Sequence, residues 1–256
     1  MTRLTPILIA ASLALPALAF ADPRPFTFNY DTYAVGKGNA EYEQWVTYKT
    51  RTDEDNSYTR FDFRQEIEYG LSDNFDISIY FADFSYENTD AHTGAQYDDS
   101  AVETIYYVTN PVEDFIGLGL YNEIAVGDGS LAFEQKILVQ KDIGNWTLIY
   151  NLVFETELEG VFKKNATVET EGVLGNTFGV SYALPFAPGV RFGAESVIES
   201  IYADWNDYQH TTCYAGPNIS YTSAHHWWLT LTGLYQLSSV DDEPDYVLRL
   251  IAGWEF

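Results

Sequence analysis

From about residue 40 onward, apolar and polar side chains trade places at every second position, the period of a β-strand. The last stretch is the plainest. Tyr246, Leu248, Leu250, Ala252, Trp254 and Phe256 form one row, and Asp245, Val247, Arg249, Ile251, Gly253 and Glu255 form the other. Trp146, Leu148, Tyr150, Leu152 and Phe154 oppose Thr147, Ile149, Asn151, Val153 and Glu155 in the same manner. Phe61, Phe63, Gln65, Ile67 and Tyr69 oppose Arg60, Asp62, Arg64, Glu66 and Glu68.

Read this way, the chain predicts twelve strands, near 40–51, 57–70, 75–86, 100–109, 115–126, 131–141, 146–156, 172–183, 190–202, 208–222, 226–237 and 245–256. Turn-forming residues separate them. Short connections at 72–74, 110–111, 142–145, 185–189 and 223–225 alternate with mostly longer, more polar ones at 52–56, 87–99, 127–130, 157–171, 203–207 and 238–244. Short turns at one end and longer loops at the other are the layout of a transmembrane barrel. The expected fold is therefore all-β: a single antiparallel transmembrane β-barrel of about 12 strands, with short periplasmic turns and longer outer loops. An even number places both ends of residues 40–256 on the short-turn side. Ahead of the first strand, residues 22–39 carry an alternating Phe26, Phe28 and Tyr30, which predicts an N-terminal arm that plugs the barrel, or an extra strand.

Residues 1–21 have a different character. Arg3, an apolar run to Ala19, and Ala19-Phe20-Ala21 before Asp22 form the basic, apolar and small-residue regions of a secretory signal peptide. Composition then narrows the function. Of 256 residues, 13 are Lys or Arg and 38 are Asp or Glu, a formal charge of −25 that repels nucleic acid. With 20 Tyr, 16 Phe and 6 Trp, this is no disordered acidic tail. A single cysteine, Cys213, excludes an intramolecular disulfide framework.

A soluble barrel alternates too, so the side facing lipid has to be argued. Trp146, Tyr182, Tyr221, Trp227 and Trp254 stand near segment ends, as in an aromatic girdle, and the opposite rows are too charged for a small dry core. The final segment, Tyr246 to Phe256, resembles the last strand of Gram-negative outer-membrane β-barrels, porin-like proteins and putative transporters among them. The stretch Tyr69-Gly70-Leu71-Ser72-Asp73-Asn74-Phe75-Asp76-Ile77 is similar to their tight periplasmic hairpins. The resemblance implies a cell outer membrane location, contact with outer-membrane lipid, and recognition of the strand ending at Phe256 by the assembly machinery.

With the aromatic rows outside, the other rows face the lumen. They carry thirteen acids (Glu41, Glu43, Asp62, Glu66, Glu68, Asp76, Glu103, Glu123, Glu134, Glu155, Glu195, Glu199, Glu255) against six bases (Lys49, Arg60, Arg64, Lys136, Arg191, Arg249). Unpaired buried ions cost several kcal/mol each, so such a lumen is wet or internally paired. The reading is a channel for passive diffusion of an unidentified small solute, leaning toward cations, with Arg60, Arg64, Glu66, Glu68, Glu134, Lys136, Arg191, Glu195, Glu199 and Arg249 as pore-lining residues. The alternative is a non-conducting barrel that binds or scaffolds through loops 87–99 and 157–171.

A lipid hydrolase stands third. Its only candidate base is His210, with Ser196, Ser200 and Glu199 on the preceding strand, and no nucleophile motif supports it. His92, His225 and His226 fall in loops or turns. The acidic runs 53–55, 98–99 and 241–243 match no calcium-loop pattern, and no residue pattern calls for a cofactor or a resident metal.

Overall fold

The computed structural model describes residues 24–89, 93–164 and 166–256; the expected signal peptide and His92 lie outside them. Among the described residues the strands are β1 (Ala40–Thr50), β2 (Thr59–Ser72), β3 (Phe75–Tyr80), β4 (Phe84–Asn88), β5 (Thr93–Tyr97), β6 (Asp99–Thr109), β7 (Gly117–Gly127), β8 (Ser130–Ile143), β9 (Trp146–Glu159), β10 (Glu169–Ala183), β11 (Val190–Asp204), β12 (Asp207–Thr222), β13 (Trp227–Gln236) and β14 (Tyr246–Glu255). Every pairing is antiparallel. The order runs β1-β14-β13-β12-β11-β10-β9-β8-β7-β6-β3-β2, and β2 pairs back to β1. Twelve strands thus close a barrel, and the β4–β5 hairpin extends its wall beyond β2.

Closure follows from the alternating rows. The fully apolar rows point outward: Tyr246, Leu248, Leu250 and Trp254 are exposed, as are Trp146, Leu148 and Phe154. Their inward partners Val247, Ile251, Thr147, Ile149, Asn151 and Val153 are buried. Rings pair across neighbouring strands at both rims, Trp146 with Tyr182 at 4.8 Å and Tyr221 with Trp227 at 5.3 Å at the short-turn end, and Tyr235 with Tyr246 at 5.3 Å at the other. The core is the barrel interior, where Tyr30, Trp45, Tyr107, Tyr121, Leu138, Trp228 and Ile251 cluster among buried polar groups.

One expected strand is two. Residues 75–86 break at 81–83, because the inward positions shift from Asp76, Ser78 and Tyr80 to Asp83 and Ser85. Below the break β3 pairs with β6; above it, the chain turns out as the β4–β5 hairpin. Asp83 N donates to Asp99 O at 2.7 Å and Asp98 N to Asp83 O at 2.8 Å, closing the hairpin's base. The segment expected as loop 87–99 is thus largely hairpin, while that at 157–171 loses only its two ends, 157–159 and 169–171, to β9 and β10. Two connections at the outer end, 128–129 and 205–206, shrink to two-residue turns for the same reason.

Residues 24–39 form no strand. Residues 24–35 run inside the barrel, where Pro25 to Val35 bond to side chains of the wall rather than to its backbone.

Candidate functional site

The lumen is built from inward-facing polar residues, and a segment of the same chain crosses it. Side chains from strands all round the barrel hold the arm. Glu195 on β11 accepts from Thr27 N at 2.9 Å, Phe28 N at 2.8 Å and Asn29 Nδ2 at 2.9 Å, and also from Thr232 Oγ1. Asn151 on β9 makes a two-way pair with Tyr30, accepting from its N–H at 2.7 Å and donating to its carbonyl at 2.9 Å. Gln140 on β8 accepts from Thr32 N at 2.8 Å, and Asp76 on β3 from Val35 N at 3.0 Å. Asn218 on β12 donates to Pro25 O at 2.6 Å, Thr230 on β13 to Arg24 O at 2.5 Å, and Arg249 on β14 to Thr27 O at 3.2 Å. An irregular backbone inside a protein needs such partners, since each unpaired buried N–H or C=O costs about 1–3 kcal/mol.

Glycines make room for it. A Cβ on Gly179 would lie 2.9–3.0 Å from three ring atoms of Phe26, and one on Gly70 would overlap Gly36 O. Within the arm, Asp31 accepts from Tyr33 N at 3.1 Å, and burial pushes its carboxyl up to about 6.

Toward the long-loop end the arm is the floor of a cavity of about 680 Å³. Thr27, Phe28 and Tyr30 form that floor, with Trp45 beside them. The walls carry Lys49, Arg60, Arg64, Lys136 and Arg249 among Asp62, Asp83, Glu123, Glu134, Glu155 and Glu199. Most of the cations are engaged. Lys49 meets Asp62 at 3.0 Å; Arg60 meets Asp62 at 2.5 Å, Glu87 at 3.5 Å and Asp98 at 3.7 Å. Arg64 bonds Asp83 and sits 3.3 Å from Glu123, and Lys136 lies 2.8 Å from Glu134 while stacking over Tyr30 and Tyr121. Arg249 stacks on Phe28 at 4.0 Å and donates to Thr47 Oγ1 at 2.9 Å. Among the described residues Glu155 and Glu199 have no ion-pair partner.

The ten residues expected to line a pore fall into three places. Arg60, Arg64, Glu134, Lys136, Glu199 and Arg249 line the open cavity. Glu66 and Glu195 are buried, Glu195 against the arm. Glu68 borders a gap of about 30 Å³ on the other side of the arm, and Arg191 donates to Ser181 and Thr147, at 3.1 and 2.5 Å. The arm separates these groups, so they share no continuous surface.

The hydrolase constellation does not assemble. His210 faces the lumen rim, 3.7 Å from Glu243, whereas Ser200 Oγ bonds Thr211 on the outward row and Ser196 shares that row. Lys163 packs against Gly129 on the adjacent turn. Charge-based reasoning missed the neutral holders of the arm, Gln140, Asn151, Thr177, Asn218 and Thr230, and Thr232, which braces Glu195. Their signal was register: Asn151 faces Thr177, and Asn218 faces Thr232, as inward pairs on adjacent strands.

A closed twelve-stranded antiparallel barrel with an apolar exterior and a charged lumen is the fold of an outer-membrane β-barrel protein. Over residues 18–246 the chain matches the family described as "Family of unknown function (DUF6662)", and it belongs to that family. No curated protein matches it. Among solved structures it is similar to the NanC porin, at 11% identity and a TM-score of 0.57, covering 83% of this chain and 98% of that one. The beta domain of the Bordetella autotransporter Brka aligns at 12% identity and 0.52, covering 86% and 100%. LpxR from Salmonella typhimurium aligns at 8% and 0.52, covering 84% and 99%. At these identities the likeness is one of fold.

Proposed function

We propose that this chain is an outer-membrane channel for small solutes, cation-preferring, whose passage its own residues 24–35 hold closed. The observation that carries the reading is an outward-facing, ion-lined cavity that ends on a segment with no part in the sheet, tied to the wall by side-chain hydrogen bonds, ring contacts and the Arg24–Glu43 pair. The apolar outer rows and aromatic rims suit a lipid bilayer. Export by residues 1–21 and recognition of the final strand by the assembly machinery belong to the same reading. Glu155 and Glu199, without ion partners, and the acid excess of the inward rows favour cations. Glu66→Gln and Glu68→Gln should weaken that preference in the open channel.

Closure of the lumen by the arm favours a second reading, a barrel that never conducts and works through its outer loops. The outward placement of Ser196 and Ser200 counts against a hydrolase. Single-channel recording in a planar bilayer under a salt gradient separates the first two readings. The refolded chain from Asp22 should give rare, cation-selective openings, and one beginning at Gly38 should conduct steadily. A correctly inserted, arm-less barrel that stays silent would end the channel reading.

A further inference from the structure

Three glutamates meet in the middle of the barrel. Glu43 on β1 and Glu66 on β2 are direct cross-strand partners. Tyr80, opposite Glu66 on β3, donates its hydroxyl to Glu103 on β6. All three carboxylates belong to residues no more than 1% exposed. Like charges facing each other across a sheet are destabilising, and a buried carboxylate without a cation more so. Among the described residues the wall supplies no cation to them within ion-pair reach: Arg64 is taken by Asp83 and Glu123, Lys136 by Glu134, and Arg249 by Thr47 and the carbonyl of Thr27.

The positive charge comes from the arm. Arg24 Nη1 lies 3.2 Å from Glu43 Oε2, and its guanidinium stacks 4.0 Å from the Tyr30 ring centre and 4.7 Å from that of Trp45. Trp45 Nε1 donates to the same carboxylate oxygen at 2.6 Å. The match is incomplete. Glu43 Oε1, Glu66 Oε2 and Arg24 Nη2 are buried without a hydrogen-bond partner. The cluster thus keeps unfilled acceptors, and its cation sits on a segment that stands apart from the sheet.

We infer that Glu43, Glu66 and Glu103, with the face of Trp45, form a binding site for an organic monocation of guanidinium type, and that Arg24 is its tethered occupant. This rests on the proposed release of the arm. A planar guanidinium fits because it donates paired N–H groups to carboxylates and stacks on an indole face. A hard divalent metal needs several converging oxygens, and among the described residues no group of three metal-ligating side chains is placed to provide them.

The test is chemical replacement in the full mature chain. Arg24→Gln vacates the site, and guanidinium chloride at low millimolar concentration is titrated against equal sodium chloride, reading melting temperature and single-channel current. A ligand that binds only the folded state raises the melting point by mass action. Guanidinium should give a saturable rise of a few degrees in Arg24→Gln, none in the parent chain, and none once Glu43→Gln and Glu66→Gln are added. It should also block current through Arg24→Gln at the same concentrations. No rise beyond that of sodium, or an equal rise in the triple variant, overturns the site. Guanidinium binding in a barrel that never conducts would retain the site and overturn the channel reading; steady conduction insensitive to guanidinium would do the reverse. If Arg24→Gln does not refold, Asn218→Leu with Thr230→Val loosens the arm backbone and leaves the cluster intact. Guanidinium then competes with Arg24, and the absence of a saturable shift is again the overturning result.

Discussion

The two halves of the lumen use the same rows of the same strands in opposite ways. Toward the short-turn end, inward side chains are spent on a foreign backbone: Glu195, Asn151, Gln140, Asn218 and Asp76 each bind the arm. Toward the long-loop end they bind one another, as in the Arg60–Asp62–Lys49 and Arg64–Glu123 pairs, around a cavity open at the mouth. Four residues along β11 span the difference, from Glu195 with four donors to Glu199 with no ion partner. Polar content alone therefore does not make a channel. What decides is whether the polar groups are already satisfied by a fixed partner or left for water and solute.

Substitution on β11 makes the sharpest break. Glu195→Leu orphans two arm N–H groups and an amide, and at about 1–3 kcal/mol each it should unseat the arm. Glu199→Leu, in the half-exposed wall, should change stability by no more than about 0.5 kcal/mol. Limited proteolysis of residues 24–38 in the folded barrel reads the difference, and equal protection in both variants would erase the distinction between the halves. Gly179 gives a smaller, purely steric version. A Gly179→Leu side chain meets the Phe26 ring, and overpacking of this kind costs about 1–3 kcal/mol. The arm should become protease-sensitive while barrel melting falls little. Intact protection would mean that the ring has room to move.

How much of this was legible beforehand follows from period and charge. A period of two places β1, β2 and β6 to β14 because each has an apolar lipid-type face, and a slip of one residue would turn it inward. The break at 81–83 escaped because Phe81 and Phe84 look like continuous apolar signal, yet their spacing of three marks the change of face. The arm was foreseen only as a strand or a plug. Beside Glu195 and Asp76, much of its seat is neutral amides, hydroxyls and glycines that carry no charge signal, reached over more than a hundred residues along the chain, such as Tyr30 to Asn151. Lumen charges were readable as inward; which of them face water was not, because that depends on where the arm lies.

In the open half the expected effect is on selectivity. Replacing both Glu155 and Glu199 by Gln in an arm-less or arm-released barrel removes two carboxylates without ion partners. The reversal potential under a salt gradient should move toward zero, with melting shifted by about 0.5 kcal/mol or less. An unchanged reversal potential would place the selectivity-setting charges elsewhere, with Glu134 and Glu123 the next pair to neutralise.

The smallest effect concerns acidity in the closed half. Asp31 sits in the arm, with Arg24, Glu43 and Asp142 as its charged neighbours, and burial holds its carboxyl up to about 6 against an ordinary value of 3.8. A carboxyl raised in the seated state holds its proton at pH values where the free arm has lost it. Its contribution to seating is therefore fully present below about 3.8 and is lost as pH rises through about 6. Arm protection from protease should decline between pH 4 and 6, and Asp31→Asn should flatten that part of the profile while leaving protection high at pH 7. The quantity to compare is the difference between parent and Asp31→Asn at each pH. A difference that stays constant across the window would show that Asp31 keeps its ordinary acidity, and that the arm's seat depends on the wall and Arg24 alone.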